Sequence, residues 1–139
     1  MKRLSAICVM LVLAVVVTSC SRNKAELENL KPVETRKVGN LTVVLMNGTG
    51  ELKQGQNDFI VQFRDPQGQP VDVGEVQLGS SMSMPGMAPM SGDSEITPTG
   101  QKGTYRVKSS FAMSGAWHFT IFWNGPYGQG STAFNTNVR

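Results

Sequence analysis

Four methionines, Met82, Met84, Met87 and Met90, fall within nine consecutive positions of the stretch SMSMPGMAPM, broken only by small residues and by Pro85, Gly86 and Pro89. The thioether is a neutral, polarizable sulfur donor, and among biological metals it favours Cu(I), with Ag(I) as an expected mimic. Spacing sharpens that chemistry. Proline presets the backbone angle at the second position of a turn, and glycine tolerates the positive angle that a type II turn needs at the third. Met84-Pro85-Gly86-Met87 therefore predicts a bend whose outer α-carbons lie within about 7 Å of each other. If the strand before the bend continues past Leu78, then Ser80, Met82 and Met84 share one face. Met90 can then close over the group after the stiff Ala88-Pro89 step, giving a three-sulfur pocket.

Two further donors lie downstream in SSFAMSGAWHFTIFW. Met113 stands at a strand start that can face the methionine loop. His118 is the chain's single histidine, and an imidazole near thioethers is a borderline ligand for Cu(I) or Cu(II). The same strand places Trp117 and His118 on opposite faces, with Trp117 inward and His118 outside beside Thr120 and Phe122. Two metal-free readings stand beside the soft-metal one. Methionine fills irregular gaps in cores, so the loop could be a hydrophobic plug, and methionine-rich surfaces also serve as adaptable docking faces for proteins.

The elements that must position these residues are short alternating runs ended by turn chemistry. LTVVLM (41–46) precedes NGTG, and DFIVQF (58–63) sets Phe59, Val61 and Phe63 on one face before DPQGQP. GEVQLGS (74–80) turns Val76 and Leu78 to one side, GTYRVK (103–108) turns Tyr105 and Val107 inward, and AWHFTIFW (116–123) alternates Trp117, Phe119, Ile121 and Trp123. STAFNTNV forms the last strand. Runs of this length without helical periodicity predict an all-β domain over residues 40–139, an antiparallel immunoglobulin-like β-sandwich of about seven strands.

Ahead of that domain, MKRLSAICVMLVLAVVVTSC has a basic start, a short apolar middle and small residues at its end, the pattern of an export signal. Its last residues, VTSC, resemble the lipobox of bacterial lipoproteins. By that resemblance residues 1–19 are a signal peptide, Cys20 carries covalent lipid, and Ser21 favours the outer membrane, facing the periplasm. Acyl chains would then attach the protein to the bilayer. Residues 20–39 are charged and poor in apolar positions, so they predict a flexible linker with a helical turn around AELENL. Cleavage removes Cys8 and lipid consumes Cys20, leaving no disulfide. It also removes Lys2 and Arg3, so 11 basic face 10 acidic side chains. No basic stripe interleaved with aromatics occurs, and nucleic acid is not an expected partner. The chain lacks a G-x-S-x-G elbow, a phosphate loop, a His-Glu metal helix and a cysteine nucleophile, so no enzyme is expected.

MSMPGM, followed by GTYRVKSSFAMSGAWHFTI with its G-x-Y and M-x-G-x-W arrangements at Gly103, Tyr105, Met113, Gly115 and Trp117, resembles the YtkA-like domain family, relatives of FixH-type proteins. The resemblance spans roughly residues 40–138. It implies an extracytoplasmic, non-enzymatic β-sandwich linked to copper handling, metal efflux or cytochrome oxidase assembly. Many relatives place a histidine in or just after the methionine loop, whereas Ala88 to Ser91 supply none. The sequence thus leads to a lipid-anchored carrier of Cu(I) acting with copper-transport, efflux or oxidase-assembly proteins. Its rival is a metal-free adaptor module of such an envelope complex.

Overall fold

The computed structural model describes residues 26–139. The expected signal peptide and Cys20 lie outside them. Residues 26–30 hold a short helical turn, in line with the turn expected around AELENL, and residues 31–139 form a separate compact unit. Among the described residues no helix is long and apolar enough to cross a membrane.

Eight antiparallel strands make up the unit: β1 (Lys31–Val38), β2 (Leu41–Asn47), β3 (Gly55–Arg64), β4 (Glu75–Met82), β5 (Met90–Pro98), β6 (Thr104–Phe111), β7 (Gly115–Gly125) and β8 (Gly128–Val138). Their order is β1-β2-β3-β6-β5-β4-β7-β8. β5 is the corner. Its first residues, Met90 to Gly92, pair with β4, and Asp93 to Pro98 pair with β6. The chain thus folds into two faces that enclose one core, a nearly closed immunoglobulin-like sandwich. The far edges also meet. The Arg36 guanidinium of β1 lies 6.0 Å from the centre of the Phe134 ring on β8, and Arg139 N–H donates to the Leu52 carbonyl at 2.9 Å.

The expected inward residues are the core. Phe59, Val61, Phe63, Val76, Tyr105, Val107, Trp117, Phe119, Ile121 and Trp123 are all buried. Phe111 links Trp117 and Phe119 at centroid distances of 5.0 and 5.7 Å, and Phe119 stacks on Phe134 at 5.5 Å. Such pairs add about 0.5–1.5 kcal/mol each beyond their buried area. On β2 and β3, Val44, Met46 and Ile60, of the opposite parity, are buried as well.

Two strands depart from expectation. β1 occupies residues 31–38, assigned above to the flexible linker, so the ordered unit begins at Lys31 and not at Asn40. It is a charged strand whose Val33 and Val38 pack on the core, and lysine and proline on it are ordinary edge-strand features. β5 reads MSGDSEITP. Its inner side is formed by Met90, Gly92, Ser94 and Ile96, too polar for an alternation signal, and Ser94 is satisfied by a 2.8 Å hydroxyl contact with Ser109.

Tyr105 ties the end of the sandwich away from the methionines. Its phenol donates to the Gly74 carbonyl at 2.6 Å, and Gly103, two residues earlier, has φ 62° with no space for a Cβ against the Val71 backbone. Burial, and secondarily Asp72, raise the Tyr105 pKa above its ordinary 10.0. The folded chain therefore holds this proton more tightly than the unfolded chain. Stability should be intact below pH 10 and fall as pH rises from there through the folded value. Tyr105→Phe should lose about 1–2 kcal/mol at neutral pH, because a carbonyl loses its partner, and should flatten the alkaline loss in denaturant melts across pH 9–12.

Candidate soft-metal centre

β4 and β5 form a hairpin in which Met82 faces Met90 directly across the ladder. Residues so paired have β-carbons about 4.5–5.5 Å apart, so the two thioethers leave the sheet side by side. Between them lies the expected bend. The Met87 N–H donates to the Met84 carbonyl at 3.2 Å, and Gly86 sits at φ 75°, the left-handed third position of a type II turn.

Met82 reaches across to β7. A Cβ on Gly115 would collide with Met82 Cε and stand 3.9 Å from its sulfur. Gly115, at φ 135°, is therefore the seat that receives this side chain. Met113, two residues earlier, is held through its backbone: its carbonyl accepts a hydrogen bond from the Trp117 indole Nε1 at 3.0 Å. Because Trp117 is fully buried, the β6–β7 connection that carries Met113 is pinned to the core.

The sulfurs fall into an inner and an outer set. Met82 and Met90 are half-buried and pack against the core, and Met84 is half-buried above them. Met87 and Met113 are 67% and 42% exposed. Five thioethers thus stand at one end of the sandwich, two packed on the core and two open to solvent.

His118 is the exception. It pairs with Ser81, is exposed, and its Nδ1 lies 2.9 Å from Asn135 Oδ1. Its ring is on the outer face of β7, while Trp117 and the seat of Met82 are on the inner one. The structure does not bring this expected ligand to the methionines, because strand side chains alternate and the register fixes Trp117 inside.

Three small residues complete the site: the sequence gives Ser80 its inward parity and Gly115 its place in the M-x-G-x-W arrangement, without a role for either, and gives no sign of Gly92. Gly92 lies opposite Ser80 in the β4–β5 ladder, where a Cβ would strike Ser80 Oγ and approach Trp117 to 3.3 Å. Ser80, one inward position below Met82, is buried, and its hydroxyl has no hydrogen-bond partner among the described residues. Gly115 completes the set. Only its inward parity in β5 could have flagged Gly92.

The segments that carry the methionines are uncharged. No Asp, Glu, Lys or Arg occurs from Val76 to Gly92 or from Ser109 to Val138. Among the described residues no three His, Cys, Asp or Glu side chains gather as a metal-binding group. These segments offer a hard ion no carboxylate oxygen, and the thioether set is soft.

A sequence model of the YtkA-like family matches residues 35–122, more than half of the chain. The chain belongs to the YtkA-like family. The YtkA-like match runs from within β1 to Phe122 in β7 and includes all five methionines of the site, while β8 follows it. No curated protein matches the chain. Among solved structures, this YtkA-like chain is similar to the Lin-41 filamin domain, at 16% identity, with 76% of this chain and 98% of that one covered and a TM-score of 0.48. It is also similar to a DUF4426 family protein from Pseudomonas aeruginosa PAO1, at 17% identity, with 76% and 96% covered and a TM-score of 0.49.

If Gly115 seats Met82, Gly115→Ala should force that side chain out. Overpacking of this kind costs about 1–3 kcal/mol, readable in a denaturant melt. The Met82 methyl resonance should shift while that of the buried Met46 stays in place.

Proposed function

We propose that this YtkA-like chain is a membrane-anchored extracytoplasmic lipoprotein that binds a soft metal ion, Cu(I) foremost, at its methionine end. It would buffer the ion or hand it to copper-transport, efflux or oxidase-assembly proteins, without catalysing a reaction. The observation that carries this reading is the hairpin register that sets Met82 against Met90 around a type II turn joining Met84 to Met87. Met113 is a fifth donor, held nearby by Trp117. The donors are uncharged and soft, and the absence of cysteine among them suits an oxidising compartment, where thiolates pair into disulfides. The anchor is read from VTSC and Cys20, and residues 1–19 are read as the signal that delivers the chain to the envelope. His118, on the outer face, has no part in this reading.

The packing of Met82 and Met90 against the core favours a second reading. In it the methionines are a hydrophobic plug on a metal-free adaptor of an envelope complex.

Titration with Ag(I), or with Cu(I) under reducing conditions, separates the two. The chain from Ser21 onward should bind a single ion, and replacing both Met84 and Met87 with leucine should weaken binding by about tenfold or more, about 1.4 kcal/mol. His118→Ala should leave affinity unchanged. Thioethers carry no proton, so affinity should stay flat from about pH 8 to 5, whereas an imidazole ligand would make it fall below about pH 6.5. Absence of binding, or binding indifferent to the double leucine variant, favours the adaptor.

A further inference from the structure

The polypeptide joins the sandwich at its methionine end. β1 starts at Lys31 opposite Asn47, the last residue of β2. The same end holds the close of β4 at Met82, the start of β5 at Met90, the start of β7 at Gly115 and the close of β8 at Val138. Lys31 stands 11 residues after Cys20. That stretch, pulled straight, reaches roughly 36–40 Å, and the helical turn within it shortens the reach. β7, at 11 residues, is itself roughly 36 Å long at about 3.3 Å per residue. With that shortening the reach falls below the length of the sandwich, so for a domain tethered at Cys20 the methionine end is the end the tether holds nearest the membrane.

The surface at that end is suited to a lipid headgroup layer. The β4–β5 and β6–β7 connections, residues 83–89 and 112–114, contain no ionisable side chain. Pro85, Ala88 and Pro89 are exposed around Met87, and Met113 is exposed beside them. Exposed Lys31 and Lys53 stand at the same end, while Glu51 is neutralised by Arg139 at 2.8 Å. An uncharged, partly apolar tip can enter a headgroup layer with little desolvation cost, and each of the two lysines beside it adds attraction to anionic phospholipid.

We infer that the methionine end is a membrane-contact surface: the Met84–Met87 turn and Met113 rest in the headgroup region of the bilayer that holds Cys20. This rests on the acylated Cys20 of the proposed function and not on metal binding. Phospholipid is the occupant the tether puts within reach, and any exchange of a bound ion would then take place at the bilayer surface.

The test uses the mature lipidated chain, with ¹³C-labelled methionine and valine methyls, in metal-free nanodiscs of phosphatidylethanolamine and phosphatidylglycerol. A spin label on the lipid headgroups should erase the methyl signals of Met87 and Met113 and spare those of Val71 and Val73 at the opposite end. Met87→Asp with Met113→Asp should relieve the loss at the remaining loop methyl, Met84, while the Val71 and Val73 signals confirm the fold. Equal broadening at both ends, or none at Met87 and Met113, overturns the inference, and the latter result in protein-free bilayers would point to a membrane protein as the occupant. Mass spectrometry of the N-terminal peptide reads the anchor separately, and an unmodified Cys20 overturns the inference along with that part of the proposed function. Loss of Ag(I) binding alone leaves the orientation standing.

Discussion

The methionine end depends on the burial of Trp117. Its indole occupies the end of the core against Phe111, and its one polar atom must find an acceptor there. The Met113 carbonyl provides it. That hydrogen bond, with one from Gln54 Nε2 to the Ala112 carbonyl at 2.9 Å, holds the β6–β7 connection, and Gly92 leaves room for Ser80 Oγ with the Trp117 ring close behind it. The sheet can then turn its corner at β5, and β4 and β5 can close as a hairpin with Met82 and Met90 in register. Removing the tryptophan would take one of the two hydrogen bonds that hold the β6–β7 loop.

The site that results combines rigidity below with access above. Met82 and Met90 have given up much of their freedom to core packing, and the type II turn constrains the backbone between Met84 and Met87. Met87 and Met113 keep their side chains in solvent. Methionine has three rotatable bonds and a polarizable sulfur, so the outer pair can adjust at small energetic cost. Among the described residues the buried Ser80 hydroxyl, just beneath the inner pair, has no partner, and a hydroxyl left so costs about 1–3 kcal/mol that a fully apolar floor would not. The structure offers no physical account of its retention.

Strands with aromatic or β-branched residues on alternate positions were legible, because each buries one face and shows that face in sequence. β3, β4, β6, β7 and β8 have this form. β5 was hidden because the corner demands Gly92 and the adjoining inner position is a serine paired with Ser109, so turn-like residues fill a strand. β1 was hidden because a charged edge strand has the composition of a linker, and only pairing with β2 orders it.

For the site, local chemistry in the sequence was enough to determine the bend, the soft donors and the parity of Met82, since turn type and strand alternation depend on neighbours a few positions apart. It also placed Trp117 inward and His118 outward. Tertiary structure decided the rest: that Met90 stands opposite Met82, that Gly115 receives Met82, that Trp117 pins Met113, and that the chain arrives at this same end. Each of these is a contact between segments distant in the chain or a consequence of strand order. Register and packing across strands settle them, and no periodicity within one segment encodes either.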